Sequence, residues 1–153
     1  MGHYLRAAGH TTVLTREADK FVQLKQRAKI AKQAKCNLFL SIHLNAATNP
    51  NARGCEAFYA APDKGRSIEA ARMILHTING ITTIPIRGVK RDSASQHKSL
   101  TVLRSTYSVM PAVLVELGFL TNAKDRSVLT GLRTMETLAL ILATKLGGVA
   151  TTL

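Results

Sequence analysis

The order of apolar runs between Thr11 and His43 constrains this chain more than any other feature. Thr11 to Thr15 (Thr-Thr-Val-Leu-Thr) is short and β-branched, which predicts a strand. Residues 18–35 follow with helical periodicity: Phe21, Leu24, Ala28 and Ala31 fall on one face, opposite Lys and Gln. Residues 37–43, Asn-Leu-Phe-Leu-Ser-Ile-His, form a compact apolar run of the kind buried strands have. Strand, helix, strand at this spacing is a βαβ unit. Its strands are expected to be parallel, because a crossover of that length joins parallel neighbours.

The rest of the chain extends the pattern. Asn45 to Gly54 reads as a loop, Cys55 to Ala60 as a strand and Ser67 to Ile78 as a helix. Thr82 to Ser99 is polar and basic with little periodicity, which predicts a long surface loop. Thr101 to Arg104 reads as a short strand, and Pro111 to Val115 as a buried central one. Leu132, Met135, Ala139, Leu142 and Leu146 mark one face of a closing helix. Met1 to Ala8, followed by Gly9, reads as the last turns of a helix stopped by glycine. The expectation is a single α/β domain over residues 1–153, a mostly parallel sheet flanked by helices, with Val13, Phe39, Ala57 and Leu114 on strands. Because it opens on the end of a helix, this domain is expected to be incomplete at its N-terminus.

Composition narrows the function classes. The chain has 153 residues, of which 46% are hydrophobic, enough for a real core. Its net charge is +12, from 21 Lys and Arg against nine Asp and Glu, a balance that favours polyanionic partners. The cations are spread along the chain and no nucleic-acid motif accompanies them, so nucleic acid is not the expected partner. Anionic polymers of the bacterial wall fit the same charge. The longest apolar stretch, near Leu138 to Leu142, is too short to span a membrane. Met1 to Ala8 has no apolar core and is no signal peptide. Cys36 and Cys55 lack CxxC spacing, which argues against a thiolate metal site; they read as small core residues, with a single disulfide left open.

Two polar residues stand where apolar ones are expected. His43 follows the run Leu38 to Ile42, and Glu116 follows Pro111 to Val115. Each is the first strongly polar group after a buried strand, at the carboxyl end where α/β sheets gather ligands. A carboxylate there is costly without a partner, which a nearby Lys or Arg, a metal or a functional water would supply. Histidine is the commonest metal ligand, although a lone histidine at a strand end is more often structural.

The local sequence says more. Ser41-Ile42-His43-Leu44-Asn45-Ala46 closely resembles the Ser-Ile-His-Ala-Asn-Ala signature of the zinc-dependent N-acetylmuramoyl-L-alanine amidases of type 3. Val115-Glu116-Leu117-Gly118-Phe119-Leu120-Thr121-Asn122 resembles their second signature. Val13-Leu14-Thr15-Arg16, Gly54-Cys55-Glu56, Arg87-Gly88-Val89-Lys90 and Val102-Leu103-Arg104 are similar to further segments of that family, in the same order. The resemblance implies a phosphorylase/hydrolase-like fold and hydrolysis, at the bacterial wall (periplasmic or extracellular), of the amide between N-acetylmuramic acid and L-alanine of peptidoglycan. It implies Zn2+ as cofactor, His43 as a zinc ligand and Glu116 as the catalytic glutamate. Asn45 matches a residue of the site's rim, and Arg87, Lys90 and Arg104 match groups that line or support the substrate groove. Glu56 matches a frequent glutamate for which a structural role fits as well. A phage lysin and a host enzyme fit equally.

The match fails at one place. The family's two other zinc ligands, a histidine in a Gly-His-Gly-Gly turn after the first strand and a glutamate at the next helix, have no counterpart here. His3 lacks the glycines, and His10, Glu17 and Asp19 fall at the wrong places around the Val13 segment. The expectation is therefore an amidase chain that lacks its first strand and is incomplete or weakly active. The alternative is a degenerate, non-catalytic module that binds peptidoglycan.

Overall fold

The computed structural model describes residues 1–63 and 65–152, the last four of these by their backbone. The elements are α1 (Gly2–Ala7), α2 (Leu24–Gln33), β1 (Phe39–Asn45), β2 (Cys55–Tyr59), α3 (Arg66–Ile81), β3 (Ile86–Arg91), α4 (Thr101–Arg104), β4 (Ala112–Phe119), α5 (Ala123–Leu129) and α6 (Leu132–Thr152). Four strands form one sheet in the order β1-β4-β2-β3. β1 pairs with β4 in parallel, and so does β2 with β3, while β2 and β4 run antiparallel. The class is α/β with helices on both faces. The sheet is mixed: two parallel pairs are joined back to back by an antiparallel seam.

Side-chain alternation along β4 divides the interior. Val113, Val115 and Leu117 enter the larger core, with Ile74, Leu75 and Ile78 of α3 and Leu138, Leu142 and Leu146 of α6. Ala112 and Leu114 point the other way, into a smaller core with Ala31 of α2, Val102 and Leu103 of α4, Phe39 and Phe58. β4 is therefore the central, two-sided strand that an unbroken apolar run predicts. The Ala112 amide donates to Ser67 Oγ at 3.0 Å, which ties the start of β4 to α3.

Several expectations are corrected. Residues 11–15 form no strand; no strand pairs with the outer edge of β1 among the described residues, so this segment has no ladder to join. The parallel crossover unit is instead β2-α3-β3. Helix α2 starts only at Leu24, and Phe21, assigned above to its buried face, is 85% exposed. The 37–43 run becomes an edge strand whose second half is exposed, because only β4 covers one side of it. Residues 86–91 form β3 at the opposite edge, where modest burial leaves no clear period-2 pattern to read. Thr101 to Arg104 is a helical turn, with Val102 and Leu103 buried. Leu132 lies at the first turn of α6 and is 72% exposed. Cys36 and Cys55 are both free.

Candidate active site

The parallel register places His43 of β1 beside Glu116 of β4. The antiparallel register places Glu116 opposite Glu56 of β2. His43, Glu116 and Glu56 thus form one row across three strands. They share a face with Phe39, Leu114 and Phe58 of the smaller core, as residues two or four positions apart on a strand must. The row faces a groove of about 1180 Å³ whose walls include the 13–16 segment, α2 and residues 94–97 and 99–102. His43 and Glu116, expected from the sequence to converge, do so here.

Glu116 is the anomalous member. Its Oε2 is buried and has no hydrogen-bond partner among the described residues. Burial, and then the neighbouring charge of Glu56, raise its carboxyl from 4.5 to about 7. A carboxyl poised there can both take and give a proton near neutral pH. His43 lies at the open lip of the groove, its Nε2 2.8 Å from Ser41 Oγ. Desolvation, followed by the positive charge of Arg27, lowers its pKa, which favours the neutral form that binds metals.

Glu56 is buried and fully engaged. It accepts from Asn45 Nδ2 at 3.1 Å, Arg87 Nε at 3.2 Å and Lys90 Nζ at 2.5 Å. Arg87 also lies over the Phe119 ring, 5.1 Å from its centre. Asn45, Arg87 and Lys90 therefore gather around the site by way of Glu56, and among the described residues no cation pairs with Glu116. Arg104 is placed differently: its Nε donates to Asp92 Oδ2 at 2.5 Å and a terminal nitrogen to Oδ1 at 2.8 Å. Asp92 is fully buried and also accepts from the Leu100 amide. Arg104 thus anchors the base of the 92–100 loop, and Ser95, Gln96 and His97 of that loop line the groove.

The reading from sequence passed over Asp92 and Asp125. Asp125, also fully buried, accepts from Arg53 Nε, the Gly54 amide and the Phe119 amide, and so binds the entrance of β2 to the exit of β4. Its signal was present: Asn122 stands three residues earlier, and its side chain caps α5. Metal chemistry is less well provided for. Among the described residues no three His, Cys, Asp or Glu side chains converge to hold an ion. A catalytic zinc normally takes three protein ligands. The residues present do not make that set; His43 is the donor they offer.

Comparison with known proteins gives a consistent result. A family model described as N-acetylmuramoyl-L-alanine amidase matches residues 1–145. Over 126 residues the chain is 36% identical to N-acetylmuramoyl-L-alanine amidase LytC of Bacillus subtilis (strain 168), covering 82% of this chain and 24% of that protein. It is also 36% identical to the endolysin of Bacillus phage SPP1 over 117 residues, 76% of this chain and 41% of that one. The chain thus spans less than half the length of these two relatives. Among solved structures, N-acetylmuramoyl-L-alanine amidase AmiC2 of Nostoc punctiforme superposes with a TM-score of 0.80 at 31% identity, over 94% of this chain and 74% of that one.

Proposed function

The chain belongs to the N-acetylmuramoyl-L-alanine amidase family, and from that premise we propose that its groove receives peptidoglycan and that Glu116 handles the proton in hydrolysis of the muramoyl–alanine amide. One observation carries the assignment: a buried carboxyl with an unpartnered oxygen, raised to about 7, at the carboxyl end of the central strand. Amide hydrolysis needs a base to take a proton from the attacking water and an acid to give one to the departing amine. A single carboxyl near neutrality serves both steps. Arg87 and Lys90 hold Glu56, which lines the groove beside Glu116, and Asn45 belongs to the same lining. Arg104 supports the loop whose Ser95, Gln96 and His97 line the groove. The site of action that follows is the bacterial cell wall; no helix among the described residues is long and apolar enough to cross a membrane.

Zinc is the cofactor the family implies, and we assign His43 to it. Held there, zinc would supply Lewis-acid chemistry to amide hydrolysis. The single assigned donor leads us to expect weak zinc binding and slow turnover in the 153-residue chain. The same shortfall favours a second reading, a module that holds peptidoglycan without cutting it. One assay separates the two. Purified peptidoglycan is incubated with the chain at saturating zinc, and free L-alanine amino termini, zinc content and co-sedimentation are measured. Amine release that Glu116→Gln abolishes supports the amidase. Co-sedimentation with no release above the Glu116→Gln level supports the binding module.

A further inference from the structure

The opposite pole of the sheet carries a feature that amide hydrolysis does not use. At the amino ends of β1 and β4 lies an open pocket of about 380 Å³, whose lining includes Lys32, Lys35, Asn37, Arg66, Met110 and Pro111. Asn37 precedes His43 by six residues of extended chain, so the pocket stands roughly 20 Å from the row containing Glu116. Among the described residues no acidic side chain lines it. Asp63, close in sequence, is engaged in holding the Gly65 and Ser67 amides at the start of α3.

Two of the pocket's cations are not explained by the fold. Helix α2 closes through its own backbone: the Cys36 amide donates to the Ala31 carbonyl and the Lys35 amide to the Lys32 carbonyl. The lysine side chains are therefore not needed to satisfy the helix end. Lys35 sits at the left-handed position of that closure, with φ of 50°, where glycine is usual and a side chain costs about 1 kcal/mol. Upstream, α2 carries Lys25, Arg27, Lys29 and Lys32 with no acid in its ten residues. Lys25, Lys29 and Lys32 lie on one exposed stripe that runs into the pocket, and like charges at these spacings weaken a helix. None of Lys25, Lys29, Lys32 and Lys35 forms an ion pair among the described residues.

We infer that this pocket and the α2 stripe form a second binding site, which takes successive phosphates of a linear polyol-phosphate polymer. Lys32 and Lys35 act as point charges on one phosphate. The stripe continues the track at one cation per helical turn, about 5 Å, which suits a flexible chain of phosphodiesters. The apolar lining is Val109, Met110, Pro111 and Cys36, with no aromatic ring. Single-stranded nucleic acid is gripped by stacking its bases on aromatic rings, so a polymer without bases fits better. The choice of a wall polymer rests on the amidase reading. The test measures binding alone, so a failure to hydrolyse amides does not affect it.

The experiment titrates the full chain with a fluorescent oligomer of poly(glycerol phosphate), at several salt concentrations and in parallel with an oligothymidylate. The variants are K32Q/K35Q, R133Q/K145Q, which removes equal charge from exposed positions on α6, and His43→Ala. Circular dichroism checks that each variant is folded. K32Q/K35Q is expected to bind the oligomer at least ten-fold more weakly. Its slope of log affinity against log salt should fall by roughly 0.7, the loss of one phosphate contact. R133Q/K145Q and His43→Ala should bind like the parent. Equal weakening by R133Q/K145Q would mean diffuse charge and overturn the site. Unchanged binding by K32Q/K35Q would overturn it as well. Oligothymidylate bound as tightly as the oligomer, and lost in the same variant, would replace the polymer with nucleic acid.

Discussion

Glu116 couples the candidate chemistry to stability through one proton. Unfolded, its carboxyl titrates near 4.5; folded, near 7. Below pH 4.5 both states hold the proton and the residue is neutral in its effect. As pH rises from 4.5 toward 7, the unfolded chain releases the proton first, so folded stability falls, by at most about 3 kcal/mol, and then levels off. Glu116→Gln should therefore melt higher than the parent at pH 8.5 and alike at pH 4, in paired thermal melts without metal. Identical melting at both pH values would mean that the carboxyl ionises freely in the fold. Asp125 is instead a structural anchor. Its carboxylate satisfies two backbone amides and Arg53, so Asp125→Ala should cost roughly 3 kcal/mol and lower the melting temperature by about 10 °C.

At the scale of elements, the site is held by the junctions between strands. Gly54 opens β2 with φ of 112°, and a Cβ there would lie 2.7 Å from the Pro85 carbonyl oxygen. Gly54→Ala therefore faces both a left-handed backbone and a backbone clash, and should cost about 2–3 kcal/mol by denaturant titration. A loss under 0.5 kcal/mol would show that the β2 entrance relaxes freely. The elements also differ in how readable they were. β4 was legible because it is buried on both faces and reads as one apolar run, and α3 because its buried face repeats at helical spacing. β3 and α4 were not. An edge strand needs no strict alternation, and Thr101-Val102-Leu103-Arg104 is too short for periodicity to outweigh its β-branched residues.

For the whole molecule, the outer edge of β1 is the weak boundary. It pairs with no strand among the described residues, and Ile42 and Leu44 on it are nearly half exposed, with Val13 and Leu14 exposed beside the same groove. An exposed apolar edge recruits other strands. The 153-residue chain is expected to self-associate as concentration rises, and Ile42→Lys should suppress this in sedimentation velocity. A monomer at every concentration, with or without the substitution, would show that the edge is protected. The net charge of +12 opposes association at low salt, so the effect should grow as salt screens it.

The sequence by itself determined the class and pointed to two candidate site residues. Apolar runs of strand length between amphipathic segments implied an α/β sheet, and a polar residue closing each of two such runs singled out His43 and Glu116. Those signals are local, and local pattern survives in a linear text. Tertiary structure alone decided which strands are neighbours and in which direction they run. The antiparallel seam between β2 and β4 sets Glu56 opposite Glu116, and the bonds from Arg87 and Lys90 then draw the cations away from the unpartnered carboxyl. It also decided that Arg104 holds Asp92 and that the Val13 segment forms no strand. Such outcomes depend on which partner reaches a group first in space, and spacing along the chain does not encode that.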